Sequence, residues 1–105
     1  MTHRDLEPLA ASAELQQDPS LRILDVRTDH EFRSARLPGS QHIPVHELPQ
    51  RVDELDPQGN YLVVCAGGIR SAHACVFLHQ SGFRRLANLA GGLHLWAHSG
   101  LPLER

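Results

Sequence analysis

Lysine is absent from this sequence of 105 residues, and cysteine, methionine, tryptophan and tyrosine are rare. All ten basic residues are arginines, which excludes Schiff-base chemistry on a lysine and leaves anions to arginine, histidine or backbone N–H groups. No apolar run approaches the ~20 residues that cross a bilayer, and the N-terminus lacks the pattern of a signal peptide. We therefore expect a cytoplasmic protein without a membrane partner.

Neither charge nor composition is typical of a disordered or nucleic-acid-binding chain. The formal net charge is −2, and the charges alternate along the sequence, so a basic patch that would bind nucleic acid is missing. Hydrophobic residues make up 41% and charged residues 21%, as in ordinary globular domains. The length predicts one domain over residues 1–105 with a single hydrophobic core.

Two cysteines, Cys65 and Cys75, are too few for a disulfide scaffold or for a usual structural zinc site. The eight histidines include two pairs spaced four apart, but none combines with a cysteine at a familiar zinc spacing. His94 and His98 are expected on the surface of a short helix beside a buried Trp96. We therefore predict no metal and no cofactor.

Strand-like and helix-like segments alternate along the chain. Short apolar runs predict buried strands at 21–26, 61–64 and 85–89, and helical patterns cover 9–17, 47–55, 71–81 and 93–99. Gly82 follows the third of these helices and suits a left-handed residue that ends it. The alternation predicts an α/β fold with a parallel sheet and helices on both faces. In such sheets ligands lie beyond the carboxyl ends of the strands, where Cys65 falls.

The segment Val63-Val64-Cys65-Ala66-Gly67-Gly68-Ile69-Arg70-Ser71 carries the most chemical information. Two adjacent glycines allow successive N–H groups to point at one centre, and the next helix directs its N-terminus at the same point. Ser71 is expected as the N-cap or as a donor in the first turn. Because N–H groups, helix dipole and Arg70 all favour an anion, we expect the pKa of Cys65 to be lowered and its thiolate to be a nucleophile.

Three separated blocks of the chain carry motifs in a fixed order. They are Leu24-Asp25-Val26-Arg27 with Glu31-Phe32, Leu37-Pro38-Gly39-Ser40 and Ile43-Pro44; the Cys65 loop with Ser71, Ala74, Leu78 and Gly82-Phe83; and Gly91-Gly92-Leu93, Trp96 and Gly100-Leu101-Pro102. With these blocks the chain resembles single-domain rhodaneses, the thiosulfate sulfurtransferase family. The resemblance covers nearly the whole chain. It implies a rhodanese-like α/β fold with a small central parallel sheet of about five strands.

The resemblance also implies a persulfide cycle on Cys65. The thiolate would take the sulfane sulfur of thiosulfate or of another persulfide donor and pass it to a thiol, to cyanide or to a sulfur-relay protein. The implied substrate-binding residues are those of the loop: Ala66, Gly67, Gly68, Ile69, Arg70 and Ser71. Arg70 would hold the sulfonate end of the donor, since arginine suits oxyanions.

Three further residues are supporting candidates: Asp25, Arg27 and Arg36. Asp25 ends the strand expected beside the Cys65 strand, and we expect it to order the local backbone and pair with an arginine. Arg36 follows Ala35 where many family members have Gly-His. Cys75, where the family usually has alanine, is interpreted as a buried small hydrophobic residue, with a resolving thiol as the alternative.

Other functions stay open at this point. The same fold serves non-catalytic interaction modules, which usually lack the cysteine, and sulfur carriers, whose donor is a protein persulfide. Cysteine phosphatases and arsenate reductases also place an oxyanion between a cysteine and an arginine. Those phosphatases have five residues between the two, whereas four separate Cys65 from Arg70, so the loop favours a sulfane sulfur.

Overall fold

The computed structural model describes residues 2–105. They contain a five-stranded parallel sheet in the order β1-β5-β4-β2-β3. The strands are β1 Arg4–Leu6, β2 Leu21–Asp25, β3 Gln41–His42, β4 Asn60–Val64 and β5 Arg85–Leu89. The chain runs from the edge strand β1 to β2, on to the other edge at β3, back to the central β4 and finally to β5, which lies between β4 and β1. Each connection is therefore a crossover of the kind that parallel strands require. This confirms the predicted α/β fold with about five parallel strands.

Helices connect the strands and cover the sheet. They are α1 Pro8–Gln17, α2 Asp29–Ser34, α3 Leu48–Arg51, α4 Ile69–Gln80 and α5 Gly92–His98, and two 3-10 turns, Val45–Glu47 and Val52–Glu54, flank α3. The helix expected at 47–55 is therefore shorter than predicted and broken into three pieces. Pro49 lies in the first turn of α3, where a proline is tolerated, and the segment changes to 3-10 geometry at Val52.

Alternating side chains of the strands divide the core into two halves. On β4, Tyr61, Val63 and then Cys65 face one side, where they pack with side chains of α3 and α4. Leu62 and Val64 face the other side, where they pack with α1 and α5. The helices thus lie on both faces, as the alternation predicts, and α4 and α5 both approach the carboxyl end of β4.

The sequence predicted the long elements and missed the short ones. The strands at 21–26, 61–64 and 85–89 and the helices at 9–17, 71–81 and 93–99 are found, with ends shifted by one or two residues. Gly82 follows the C-cap of α4 with φ +100°, as expected. Strands β1 and β3 and helix α2 were not predicted, because elements of two to six residues show little periodicity. None of the helices in residues 2–105 is long and apolar enough to cross a membrane.

Candidate functional site around Cys65

Cys65 directly follows β4 and is held from behind by the start of α5. The backbone N–H of Leu93 donates to the Cys65 carbonyl at 2.9 Å, and that of His94 donates to the Ala66 carbonyl at 3.0 Å. These two N–H groups belong to the first turn of a helix, where they have no partner inside the helix. They fix the backbone of the loop while leaving the sulfur free on the opposite side.

The sulfur of Cys65 lies among N–H groups at the N-terminus of α4. The N–H of Gly68 donates to Sγ at 3.1 Å and that of Ser71 at 3.3 Å, and the Ser71 hydroxyl oxygen lies 3.2 Å from the sulfur. Helix α4 has twelve residues, so its positive end adds to these contacts. Ser71 is thus a donor in the first turn, while Gly68, and not Ser71, occupies the N-cap position.

The pKa of Cys65 lies below its ordinary value. Burial raises the pKa of the thiol, but hydrogen bonds to the sulfur, among them those from the backbone N–H groups of Ser71, Gly68 and Gly67, together lower it by a larger amount. The residue is 1% exposed, so these donors replace water as the partners of the thiolate. The lowered pKa agrees with the expectation from the sequence, and the role of Cys65 as a nucleophile stays a prediction.

Two glycines let the loop and α5 come this close. Gly68 has φ +96°, and a Cβ at this position would lie 3.0 Å from the backbone nitrogen of Gly91. At Gly92, φ is +63°, and a Cβ would overlap the carbonyl of Ala66. Gly67 has open space around it and no positive φ, so its glycine is not required by backbone geometry. Of the two loop glycines, Gly68 is therefore the one that shapes the site.

Arg70 forms an ion pair with Glu31 that the sequence did not predict. The two terminal nitrogens of Arg70 donate to the two carboxylate oxygens of Glu31 at 2.7 and 2.9 Å. The Arg70 hydrogen bonds, opposed by partial burial and supported by contacts with Thr28, lower the pKa of Glu31 to about 2. The same contact raises the pKa of Arg70. The positive charge of the loop is therefore matched by a carboxylate at the site.

Helix α2 positions Glu31. Thr28 and Glu31 form a capping box: the Thr28 side chain accepts from the Glu31 N–H at 3.3 Å, and the Thr28 N–H donates to the Glu31 carboxylate at 3.0 Å. The Glu31 carboxylate oxygen that receives the Thr28 N–H also receives one bond from Arg70. The first turn of α2 is thus tied to the first turn of α4.

Asp25 and Arg27 form the expected pair, and the pair anchors α2. Arg27 donates to Asp25 through its backbone N–H and its side chain, the shortest bond being 2.7 Å from Nη2 to Oδ2. The same guanidinium donates to the carbonyls of Glu31 and Ala35, near the two ends of α2. Both side chains are buried and multiply hydrogen-bonded, which is what a buried ion pair requires. Their catalytic support of Cys65 stays a prediction.

Other predicted residues lie at the edge of the site or outside it. Ile69 is 71% exposed, so it is the loop's backbone and not this side chain that surrounds the sulfur. Ala66 is half-buried and contributes its carbonyl to the contact with α5. Arg36 binds Glu104 and the Phe32 carbonyl, which ties the C-terminal tail to α2. A substrate contact by Arg36 stays a prediction that these contacts do not support.

Cys75 lies in the core, on α4, one helical turn after Ser71. The residue is 0% exposed, and its nearest polar contact is the Ala87 carbonyl at 3.9 Å. Burial, with a smaller contribution from the charge of Asp5, raises the pKa of this thiol to about 12. Both cysteines are free thiols. The geometry fits the interpretation of Cys75 as a buried small hydrophobic residue.

The N–H groups around Cys65 lie apart from two surface clefts of the molecule. Two surface clefts, of about 520 and 470 Å³, lie elsewhere: one beside Arg4 and Arg85, the other beside Leu37 and Trp96. Neither is lined by a residue of the Cys65 loop. A reaction that binds one sulfur atom as an anion needs no such cleft, because the N–H groups themselves make the binding site.

Two residues of the site were missed by the sequence analysis: Glu31 and Asn88. The spacing Thr28-x-x-Glu31 is that of a capping box, and it predicts a helix start that would have placed Glu31. Asn88 is 4% exposed and accepts a hydrogen bond from the Ser71 hydroxyl at 2.5 Å. No local pattern indicates this contact, because it joins β5 to α4 across the sheet.

Comparison with known proteins gives a consistent result. A model of the family described as the rhodanese-like domain matches residues 9–99. The chain is 31% identical to a sulfurtransferase of Allochromatium vinosum, over 94% of this chain and 92% of that protein. It is 34% identical to the thiosulfate sulfurtransferase GlpE of Stutzerimonas stutzeri, over 73% and 71%. The crystal structure of a rhodanese-related protein from Thermoplasma volcanium has a TM-score of 0.87 at 29% identity, covering 97% of this chain and 98% of that one.

Proposed function

The chain belongs to the rhodanese-like family, and we propose that it is a sulfurtransferase that moves a sulfane sulfur from thiosulfate to a thiophilic acceptor through a persulfide on Cys65. The observation that carries the proposal is the position of Cys65 Sγ, 3.1 and 3.3 Å from the N–H groups of Gly68 and Ser71 at the start of α4. This arrangement favours an anion on sulfur. The relative named thiosulfate sulfurtransferase supports thiosulfate as the donor.

The first half of the cycle loads the cysteine. The Cys65 thiolate attacks the sulfane sulfur of thiosulfate, forming a sulfur–sulfur bond while the bond to the sulfonate sulfur breaks. Sulfite leaves with the electron pair of the broken bond, and Cys65 becomes a persulfide whose terminal sulfur carries the negative charge. The step needs no cofactor or metal, because nucleophile and leaving group exchange one electron pair.

The second half of the cycle returns the free thiolate. A nucleophilic acceptor, cyanide or a thiolate, attacks the terminal sulfur of the persulfide, and the Cys65 thiolate leaves with the electron pair. Cyanide gives thiocyanate and a thiolate gives a new persulfide. The N–H groups around the loop stabilise the negative charge both as terminal persulfide and as departing thiolate, since both anions lie at the start of α4.

The loop residues have separate roles in this proposal. Gly67, Gly68 and Ser71 supply the N–H groups that hold the anion, and Ala66 is held through its carbonyl. Arg70 binds the sulfonate end of thiosulfate. Glu31 takes up one N–H on each terminal nitrogen of Arg70, so the other N–H groups of the guanidinium remain for an oxyanion. The Glu31 carboxylate therefore competes with the sulfonate of the donor for the Arg70 guanidinium.

We further propose that the reaction takes place in the cytoplasm, where thiols stay reduced. The acceptor there would be a thiol or a sulfur-relay protein. The side chain of Ile69, which is exposed in the loop, offers an apolar contact to a protein that carries such a thiol. If the natural donor is itself a protein persulfide, the same loop makes the chain a sulfur carrier, and thiosulfate is a substitute donor.

The test is the formation of thiocyanate from thiosulfate and cyanide by the purified protein. We expect turnover by the wild type, loss of turnover in Cys65→Ser, and turnover close to wild type in Cys75→Ala, which removes the other thiol. Turnover that survives Cys65→Ser would contradict the mechanism. Hydrolysis of an aryl phosphate without any sulfur transfer would indicate a phosphatase instead.

A further inference from the structure

Asn88 connects the nucleophile to the far edge of the sheet through Ser71. The Ser71 hydroxyl oxygen lies 3.2 Å from Cys65 Sγ and 2.5 Å from Asn88 Oδ1. Asn88 Nδ2 in turn contacts Asp5 Oδ1 at 3.0 Å and the Gly68 carbonyl at 3.2 Å. Ser71 is 0% and Asn88 4% exposed, so water does not compete for the contacts of the Ser71 hydroxyl with Cys65 and Asn88.

The orientation of the Asn88 amide follows from its partners. A carboxylate oxygen and a backbone carbonyl can only accept hydrogen bonds, so the group that faces Asp5 and Gly68 must be the NH₂. The carbonyl oxygen of the amide therefore faces Ser71. Since this oxygen only accepts, the single proton of the Ser71 hydroxyl lies on the Ser71–Asn88 bond.

Because its proton lies on the bond to Asn88, the Ser71 hydroxyl does not donate a hydrogen bond to the sulfur. A hydroxyl has one proton, and when it points to Asn88, only lone pairs face Cys65. Lone pairs accept a bond from the neutral thiol and do not stabilise a thiolate. The backbone N–H groups of Gly68 and Ser71 still point at the sulfur, so the thiolate is held by the backbone alone.

We propose that Asn88 is a positioning residue that takes the Ser71 hydroxyl proton away from the Cys65 thiolate and thereby keeps the sulfur strongly nucleophilic. The intrinsic reactivity of a thiolate falls as more donors stabilise it. A site that stabilises its thiolate too well holds an anion that attacks slowly. The N–H groups of the loop thus favour formation of the thiolate, and Asn88 keeps that thiolate from being stabilised further by the Ser71 hydroxyl.

All variants that test this proposal keep the charged groups around Cys65 unchanged. These groups are Arg70 on α4, paired with Glu31 of α2; the Asp25–Arg27 pair after β2; and Asp5 on β1. Asp5 is 65% exposed in its side chain and regains water when Asn88 is changed. Asn88→Leu also removes the bond to the Gly68 carbonyl, so its effect is compared with and without the Ser71 hydroxyl, which isolates the Ser71 proton.

The experiment measures alkylation of Cys65 by iodoacetamide as a function of pH, with the modified peptide identified by mass. It gives the pKa of Cys65 and the limiting rate of its thiolate. In Asn88→Leu the Ser71 proton becomes free to donate to sulfur, so the pKa of Cys65 should fall by about one unit. The limiting rate should fall about threefold, as expected for a thiolate whose basicity is one unit lower.

Ser71→Ala and the double variant complete the cycle. Ser71→Ala alone should change the pKa of Cys65 by a few tenths of a unit at most, and in its background Asn88→Leu should have no further effect. Asn60→Leu is the matched control, because Asn60 also donates from a strand to an aspartate, Asp18, far from Cys65. It should leave both quantities unchanged.

Three results would overturn the proposal: an unchanged or higher pKa in folded Asn88→Leu, an effect of Asn88→Leu that persists without the Ser71 hydroxyl, or a rise of about one unit in Ser71→Ala. Thermal unfolding checks that each variant is folded. If Asn88→Leu does not fold, Ser71→Ala decides alone. The inference rests on the proposed function in taking Cys65 as the nucleophile, but alkylation needs no sulfur donor, so failure of sulfur transfer and failure of this proposal are separate results.

Discussion

Cys65 and Cys75 are the same side chain in two different environments. Both residues are buried, at 1% and 0% exposure, and burial raises the pKa of each thiol. Around Cys65, hydrogen bonds to the sulfur, including those from backbone N–H groups, reverse the direction and hold the pKa below its ordinary value. Around Cys75, the apolar core leaves burial unopposed, and the pKa rises to about 12.

The comparison shows that burial alone does not decide whether a thiol is reactive. What differs is the direction of nearby N–H groups, and this direction is set by the start of α4 and by the close approach of α5. Cys65 precedes α4 and faces its unpaired N–H groups, whereas Cys75 lies within the helix, where these groups are already bonded. The chemistry of the chain therefore depends on a few backbone contacts.

Gly92→Ala is expected to have the largest effect, because it makes the environment of Cys65 more like that of Cys75. The added Cβ overlaps the Ala66 carbonyl, so α5 must move away from the loop. The free energy of unfolding should fall by about 3 kcal/mol, and alkylation of Cys65 near neutral pH should slow. Denaturant unfolding and alkylation rates measure both.

Gly100→Ala is the control for Gly92. It has a similar φ of +80° with nothing within 4 Å of the added atom, so it adds backbone strain without moving the loop. It should lower the free energy of unfolding by about 1 kcal/mol and leave the reactivity of Cys65 unchanged. Equal losses of reactivity in both variants would contradict the role of the close approach at Gly92.

Arg70 and Glu31 test the part of the Cys65 environment that depends on an ion pair. Arg70→Ala should raise the KM for thiosulfate about tenfold, with a smaller effect on a neutral persulfide donor. Glu31→Gln should lower the KM for thiosulfate, since it removes a carboxylate that competes for the guanidinium. Steady-state kinetics with both donors measure these changes.

Glu47→Gln is the matched control for this pair. Glu47 also binds an arginine, Arg51, through a contact of 2.8 Å, but on the helical segment after β3. It removes the same charge from the protein and should leave the KM unchanged. A similar drop in KM in both variants would show that net charge, and not the local pair, determines binding of the donor.

The stability of the Arg70–Glu31 pair should depend on pH in a defined window. The contact with Arg70 lowers the pKa of Glu31 from 4.5 to about 2 on folding. A lowered carboxylate pKa stabilises the fold fully above pH 4.5, and this contribution is lost as the pH falls toward 2. The difference in unfolding free energy between wild type and Glu31→Gln should shrink over this range. A difference that stays constant down to pH 2 would contradict the ion pair.

Cys75→Ala should have the smallest effect. It removes one buried sulfur atom from the core and should lower the free energy of unfolding by about 1 kcal/mol, with sulfur transfer unchanged. Activity assays before and after treatment with peroxide measure both possible roles of the thiol. Protection from oxidative inactivation by this change would favour the resolving thiol over the structural role.

The sequence predicted the part of the site that is local in the chain. The strand before Cys65, the glycines and the helix after it are consecutive, so their order alone indicates an anion-binding loop. Asp25 was expected to pair with an arginine, and the partner in the structure, Arg27, is only two residues away. The long elements of the fold were predicted because their apolar patterns extend over several residues.

The contacts that join distant segments could not be predicted in the same way. Glu31 reaches Arg70 from another helix, and Asn88 reaches Ser71 from another strand. Short elements such as β1 are stabilised by pairing with β5 and not by their own pattern. The capping box at Thr28 was a local signal for α2 that the periodicity analysis did not use.

The most direct test of the central claim is to locate the transferred sulfur in the intact protein. The purified wild type and the Cys65→Ser variant are treated with thiosulfate, their masses are measured, and the modified peptide is identified before and after cyanide. The account predicts one added sulfur atom on Cys65 of the wild type, none on Cys75, none in the variant, and its release as thiocyanate. Sulfur found on Cys75, or an added sulfur in Cys65→Ser, would contradict it.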